Sequence, residues 1–174
     1  MKEMNRREFL TLSGAAVVAL SLAGCGAPSA PSAPAAPTGK EAKVLEAINL
    51  FRKEKGWGEL KLDDGLNAVA EEAVKFAKGT IEEDDLLKEI WAIATHGSGP
   101  YVRPRFPIGV IDKGDPTMPY DDDIEVMKNA LLALQPADTS DNIGTEKVTL
   151  VGIKVFTGND GKPYWVAVAA EGKK

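Results

Sequence analysis

The sequence predicts an α+β domain in which a mainly antiparallel sheet carries helices on both faces. Two observations point to it. Four stretches with apolar residues at helical spacing precede the two clearest strand-like runs, Val148 to Phe156 and Tyr164 to Ala169. The first of these runs is apolar on both sides, with Val151, Ile153 and Val155 on one and Leu150, Gly152 and Phe156 on the other. A sheet buried on both faces needs a helical layer against each.

In chain order, Val44, Ile48 and Phe51 mark a first helix, and Leu66, Val69, Ala70, Ala73 and Ala77 a second, joined through Gly56-Trp57-Gly58. Asp63 stands where an N-cap would accept a free amide of the second helix. Leu87, Ile90, Trp91 and Ala94 give a third helix its apolar face, and Thr80-Ile81-Glu82-Glu83 reads as the capping box that opens it. Ile108-Gly109-Val110-Ile111 is expected to add a strand to the sheet. A fourth helix follows Asp121-Asp122-Asp123, with Ile124, Met127, Leu131 and Leu134 along one side. The turn-forming run Thr157-Gly158-Asn159-Asp160-Gly161-Lys162 makes the last two strands a hairpin.

Ahead of this domain the sequence changes character twice. Residues 1–24 have the layout of a signal peptide, with a basic head, a modestly apolar run from Leu10 to Ala23 and then a cysteine. Arg6 and Arg7, followed by Phe9 and Leu10, resemble the twin-arginine export signal. The run is diluted by Ser13, Gly14 and Ser21, and it falls short of the roughly 20 residues a permanent span requires. Leu22-Ala23-Gly24-Cys25 resembles a lipobox, which implies cleavage before Cys25 and acylation, for example with palmitate, of the thiol and the new amino end. Each buried methylene contributes about 0.8 kcal/mol, so two or three chains make a stable anchor where one does not. Cys25 is the one cysteine of the sequence, which excludes an internal disulfide. A stray buried thiol and an ordinary basic head are the plainer readings, but all parts stand in the right order. Residues 25–39 are then the lipidated cysteine and a Pro/Ala/Ser-rich spacer, and 40–174 the domain. The expected location is the extracytoplasmic side of the cell membrane.

The net charge of −5 is carried by a domain more acidic than the whole, because the leader is basic. Nucleic acid is excluded as a partner on this ground, since phosphate binding needs clustered Lys and Arg. Docking to anionic headgroups through a basic patch is disfavoured likewise. The expected partners are the membrane, through the lipid, and an envelope protein, a glycan or a small apolar ligand.

Val44-Leu45-Glu46-Ala47-Ile48-Asn49-Leu50-Phe51-Arg52, then Leu60-Lys61-Leu62-Asp63-Asp64-Gly65-Leu66 with Ala70 and Ala73, and finally Leu150-Val151-Gly152-Ile153-Lys154-Val155-Phe156 with Gly161-Lys162-Pro163-Tyr164-Trp165-Val166-Ala167-Val168 resemble the CAP superfamily, or SCP domain, in its bacterial secreted form. The resemblance covers both ends of the domain and is weak between them. It implies an α-β-α sandwich and, in many members, a cleft with two His and two acidic residues able to hold a divalent metal. Here His96 is the only histidine, Leu150 stands where the family often has a Glu before Val-Gly, Thr139 falls near the second family histidine before Asn142-Ile143, and Pro107-Ile108-Gly109 replaces Glu-Asn-Ile. The resemblance therefore comes without its metal site, and no cofactor is expected.

Thr95-His96-Gly97-Ser98-Gly99 reads either as a remnant site or, more simply, as a helix-ending loop with a solvated histidine. Ser98 lacks the setting of an activated nucleophile. Asp121 to Asp123 with Glu125 could offer carboxylates to calcium, but acidic residues at a helix start have a simpler cause in the helix dipole. The same discount applies to Glu82-Glu83-Asp84-Asp85. Tyr101-Val102-Arg103-Pro104-Arg105-Phe106-Pro107 is either a recognition loop or a crossover whose Phe106 plugs the core. The leading expectation is a non-catalytic binding module. The competing one is a hydrolase, acting on peptides or cell-wall material, with a reduced cleft around His96.

Overall fold

A computed structural model describes residues 39–95, 101–134, 143 and 146–172, all within one compact unit, Pro34–Lys174. The elements are α1 (Lys40–Glu54), β1 (Lys61–Leu62), α2 (Asp64–Ala77), α3 (Glu83–Thr95), β2 (Tyr101–Pro104), β3 (Val110–Asp112), β4 (Asp115–Pro116), α4 (Ile124–Ala133), β5 (Val148–Thr157) and β6 (Pro163–Gly172). The main sheet has the order β1-β5-β6-β2; β1 joins β5 in parallel and the other pairings are antiparallel. This is the α+β architecture expected from the sequence.

Alternation along the strands sorts the core into two halves. Val151, Ile153, Trp165, Ala167 and Ala169 face Val44, Ile48 and Phe51 of α1 and Met127 and Leu131 of α4. Val166, Val168 and Ala170 face Leu66, Val69, Ala73 and Phe76 of α2 and Leu86 and Ile90 of α3. The sheet is thus the middle of three layers. At Gly152 helix and sheet lie in close contact: a Cβ there would lie 2.1 Å from the backbone C and O of Leu66. The amide of Ile153 donates to Asn67 Oδ1 at 2.9 Å across the same contact.

Polar side chains of α1 tie down the chain around it. Asn49 accepts from Leu60 N at 2.8 Å and donates to Leu60 O at 3.2 Å. Arg52 is fully buried. Its guanidinium donates to the carbonyls of Gly58 at 2.6 Å and Val148 at 3.0 Å, and to that of Ile143. Desolvation lowers its pKa from the usual arginine value, and charge-assisted bonds to carbonyls offset that cost. The helix ends on Gly56 at φ 76°, with Trp57 N bonded to Arg52 O at 2.9 Å and Gly56 N to Lys53 O at 3.1 Å. Trp57 then sets its ring edge-on to Phe51, 6.1 Å between centroids.

Three local expectations need correction. Thr80 does not open α3; its N–H and hydroxyl both donate to Lys75 O, at 2.9 Å each, and Gly79 at φ 76° closes α2. The hydroxyl serves the helix behind it because the preceding glycine has already turned the chain. In α3 Ile90 is buried and Leu87 packs against the core as expected, with Leu86 buried beside them, but Trp91 is 61% exposed and not part of the buried stripe. Ile108–Ile111 is not a continuous strand of the main sheet: Ile108 bridges Ala167, Gly109 turns away at φ 96°, and Val110–Asp112 pairs with β4 in a separate two-stranded ribbon.

Candidate functional site

The outer edge of β6 is covered by an irregular chain that touches it at intervals. Beyond β2, Arg105 N donates to Ala169 O at 2.8 Å, Ile108 exchanges both bonds with Ala167, Trp165 N donates to Met118 O at 3.0 Å, and Tyr120 N donates to Pro163 O at 2.9 Å. Between these touches the β3–β4 ribbon loops out. Gly109 lets the loop hug the sheet, since a Cβ there would fall 2.3 Å from Trp165 O. The ribbon tip is held from behind, with Gly114 N donating to Phe76 O at 3.0 Å and Lys113 paired to Glu82.

A cleft of about 260 Å³ opens where the chain leaves the sheet, walled by Phe106, Ile108, Val110, Ile111, Met118 and Leu134, with Thr117 adding a hydroxyl. Ile108, Val110 and Met118 are buried core residues at its base, whereas Ile111 is 70% exposed at its rim. Apolar walls with a sparse polar group are the usual make-up of a ligand cleft. These walls offer no acid, base or nucleophile stronger than the Thr117 hydroxyl. The arrangement can desolvate an apolar group; among the described residues it holds nothing that would react with one.

Of the positions suggested by the sequence, Phe106 and Ile108 line this cleft. His96, Thr139, Ser98 and the leader residues Arg6, Arg7, Phe9, Leu10, Leu22, Ala23, Gly24 and Cys25 lie outside the described residues. Leu150 pairs with Lys61 and Ala170 and packs with the α2–α3 half of the core. Ile108 is 5% exposed and packs on the other side. Among the described residues no three His, Cys, Asp or Glu side chains gather as a metal site.

The acidic run before α4 is spent locally. Asp121 accepts Asp123 N at 2.8 Å, Asp123 accepts Glu125 N at 2.9 Å, and Asp122 accepts Lys43 Nζ at 2.7 Å and Tyr120 Oη at 2.9 Å. The Lys43 and Tyr120 hydrogen bonds, in that order, lower the Asp122 pKa. Glu82 pairs with Lys113 and Asp85 with Lys88. Sequence reasoning missed Ile111, Met118 and Leu134 as cleft residues.

Tyr101, at the start of the segment that builds this edge, is fixed by Asp63. The Asp63 carboxylate accepts both the Tyr101 hydroxyl and Leu66 N, the latter at 3.0 Å, so one side chain caps α2 and holds β2. Burial, then the Asp63 hydrogen bond, raises the Tyr101 pKa well above its usual 10.0. The folded-state value exceeds the unfolded one, so the stability linked to the neutral phenol is complete below pH 10 and is lost as pH rises beyond it. Tyr101→Phe should lower stability by about 1–2 kcal/mol at pH 7 through the lost charge-assisted bond. It should also flatten the loss above pH 10 in urea titrations; an unchanged alkaline slope would show that Tyr101 is not the group responsible.

Among solved structures, the chain is similar to a cysteine-rich secretory protein from Staphylococcus aureus subsp. aureus Mu50, at a TM-score of 0.52 and 16% identity over 76% of this chain. The fold is CAP-like. The chain spans 38% of the length of that staphylococcal protein. An outer surface protein from Borrelia burgdorferi is also similar, at a TM-score of 0.46 and 17% identity over 75% of this chain and 90% of that one. At these identities the staphylococcal likeness speaks of fold alone. No protein-family profile matches the chain, and no curated protein matches it. Within the CAP-like fold, Asn49, Arg52 and Gly152, which carried the sequence resemblance, serve the scaffold: Asn49 and Arg52 bind backbone groups of neighbouring chain with their side chains, and Gly152 lets the first turn of α2 approach the sheet.

Proposed function

We propose that this chain is a non-catalytic binding module, held on the extracytoplasmic face of a membrane by a lipid on Cys25, that receives a small apolar ligand or apolar group in the cleft beside β6. The observation that carries the binding reading is the apolar cleft itself, with Ile111 at its rim 70% exposed above a base of buried side chains. The CAP-like fold shared with a secreted protein agrees with an extracytoplasmic place. The leader, with Arg6-Arg7 and the Leu22–Cys25 run, supplies the export and anchoring part of the reading. Among the described residues no helix is long and apolar enough to cross a membrane.

Two variants of the full chain test the two halves separately. Cys25→Ser should move the protein from the membrane to the soluble extracytoplasmic fraction; continued sedimentation with membranes would end the lipid-anchor reading. Ile111→Glu should weaken binding of the fluorescent apolar probe anilinonaphthalene sulfonate by about tenfold, the effect of about 1.4 kcal/mol of lost apolar contact. Unaltered probe binding in a folded Ile111→Glu protein would place the binding surface elsewhere.

A further inference from the structure

The sheet has a second edge, opposite the cleft, and it is only partly covered. β1 pairs with β5 at Leu150 and Val151 alone. Asp63 N extends the cover to Val151 O at 3.0 Å, and Asn67 Oδ1 takes Ile153 N. After Ile153 the chain of α2 has moved off the edge and onto the face of the sheet.

The register settles which backbone groups are left. Ala167 bonds outward to Ile108, and Trp165 N bonds outward to Met118. Their partners across the hairpin, Ile153 and Val155, therefore also direct their amides and carbonyls away from β6, as does Thr157 opposite Pro163. Val155 N–H and C=O and Thr157 N–H thus line a strand edge left open by the described residues. Lys154, Val155 and Phe156 are half-buried there and Thr157 is exposed.

A hollow lies on either side of this edge. One, of about 340 Å³, is lined by Lys75, Lys78, Lys154, Val74 and Phe156 with Glu71. The other, of about 170 Å³, is lined by Lys40, Glu41, Thr157 and Pro163. In the larger hollow Lys154 pairs with Glu71 and Lys75 with the adjacent Glu72, while Lys78 Nζ lies 5.9 Å from the Phe156 ring centroid and has no carboxylate partner among the described residues. On a chain of net charge −5 this is a concavity of the opposite sign. Side chains of an added strand alternate between the two faces of a sheet, so every second one would enter the lysine hollow.

We propose that the open edge of β5 at Val155–Thr157 is a strand-addition site for an extended, acidic peptide segment of a partner protein. This surface lies across the sheet from the apolar cleft, and the inference stands whether or not that cleft binds an apolar ligand. Backbone bonds to Val155 and Thr157 hold the segment, and the Lys78 ammonium over Phe156 selects acidic side chains at alternate positions.

The probe is a fluorescein-labelled heptapeptide of alternating valine and glutamate, titrated against the full chain by anisotropy. It should bind about tenfold more tightly than its valine–lysine counterpart, and about tenfold more tightly than a version N-methylated on alternate peptide bonds. Lys78→Glu, a change at a half-buried position outside both core clusters, should weaken binding by about fivefold, and Val155→Pro, which removes an outward N–H, should abolish it. Lysines also guard strand edges against unwanted pairing. No binding of the valine–glutamate peptide at about 1 mM, a limit of about 4 kcal/mol, would overturn the proposal in favour of that protective role. Equal binding of the N-methylated or lysine peptide, or an indifferent Lys78→Glu variant, would overturn it as well.

Discussion

Arg52→Ala should lower the free energy of unfolding by about 3–5 kcal/mol, the largest loss expected from any single polar substitution in this chain. The guanidinium is fully buried and, among the described residues, donates to the carbonyls of Gly58, after its own helix, and of Ile143 and Val148, on the approach to β5. Alanine removes the donors and leaves the Ile143 and Val148 acceptors buried, where each unpaired carbonyl costs about 1–3 kcal/mol before relaxation. The loss of stacking over Trp57, 5.9 Å from the guanidinium carbon, adds to it. Arg52→Lys should recover less than about half of the difference, because one ammonium cannot serve three directions at once. Urea unfolding followed by tryptophan fluorescence reads both values. A loss below about 1 kcal/mol for Arg52→Ala would mean that the acceptors find other donors.

Gly152→Ala is expected to cost about 3 kcal/mol, by a mechanism with no polar component. The new methyl would start 2.1 Å from Leu66 C and O and 2.4 Å from Asn67 N, all backbone atoms of the first turn of α2. A side chain in the way could rotate; a helix must move as a whole, carrying Leu66, Val69 and Ala73 out of their contacts with β6. Gly58→Ala is the matched control, since nothing lies within 4 Å of its Cβ position, and its effect should stay within about 0.5 kcal/mol. Equal stability of the two variants would show that the α2–sheet spacing is soft.

The layers were legible in the sequence because periodicity reports burial directly. Two apolar faces on β5 demanded two helical layers, and Asp63 capped α2 as its position before Leu66 suggested. Local signals with two possible owners were read wrongly. Thr80 suits the end of one helix as well as the start of the next, and only the backbone of Gly79 decides between them. The four residues from Ile108 to Ile111 have strand propensity throughout, but Gly109 at φ 96° splits them between two sheets. The cleft was illegible for the same reason: its walls come from β3, from the chain on either side of the β3–β4 ribbon and from the end of α4, and no spacing in the sequence connects Ile111 to Leu134. Asn49 and Arg52 stood out in the sequence, and the structure gives them work inside the scaffold.

The discontinuous cover of β6 separates two properties that a continuous strand would couple. Arg105, Ile108, Met118 and Tyr120 each grip the sheet independently, and the residues between them carry no part of its ladder. Chain can therefore be lengthened, shortened or exchanged around Ile111 to Asp115 without breaking the hydrogen bonds that hold the sheet together. The length and composition of this loop are thereby released from the constraint that keeps the sheet in register.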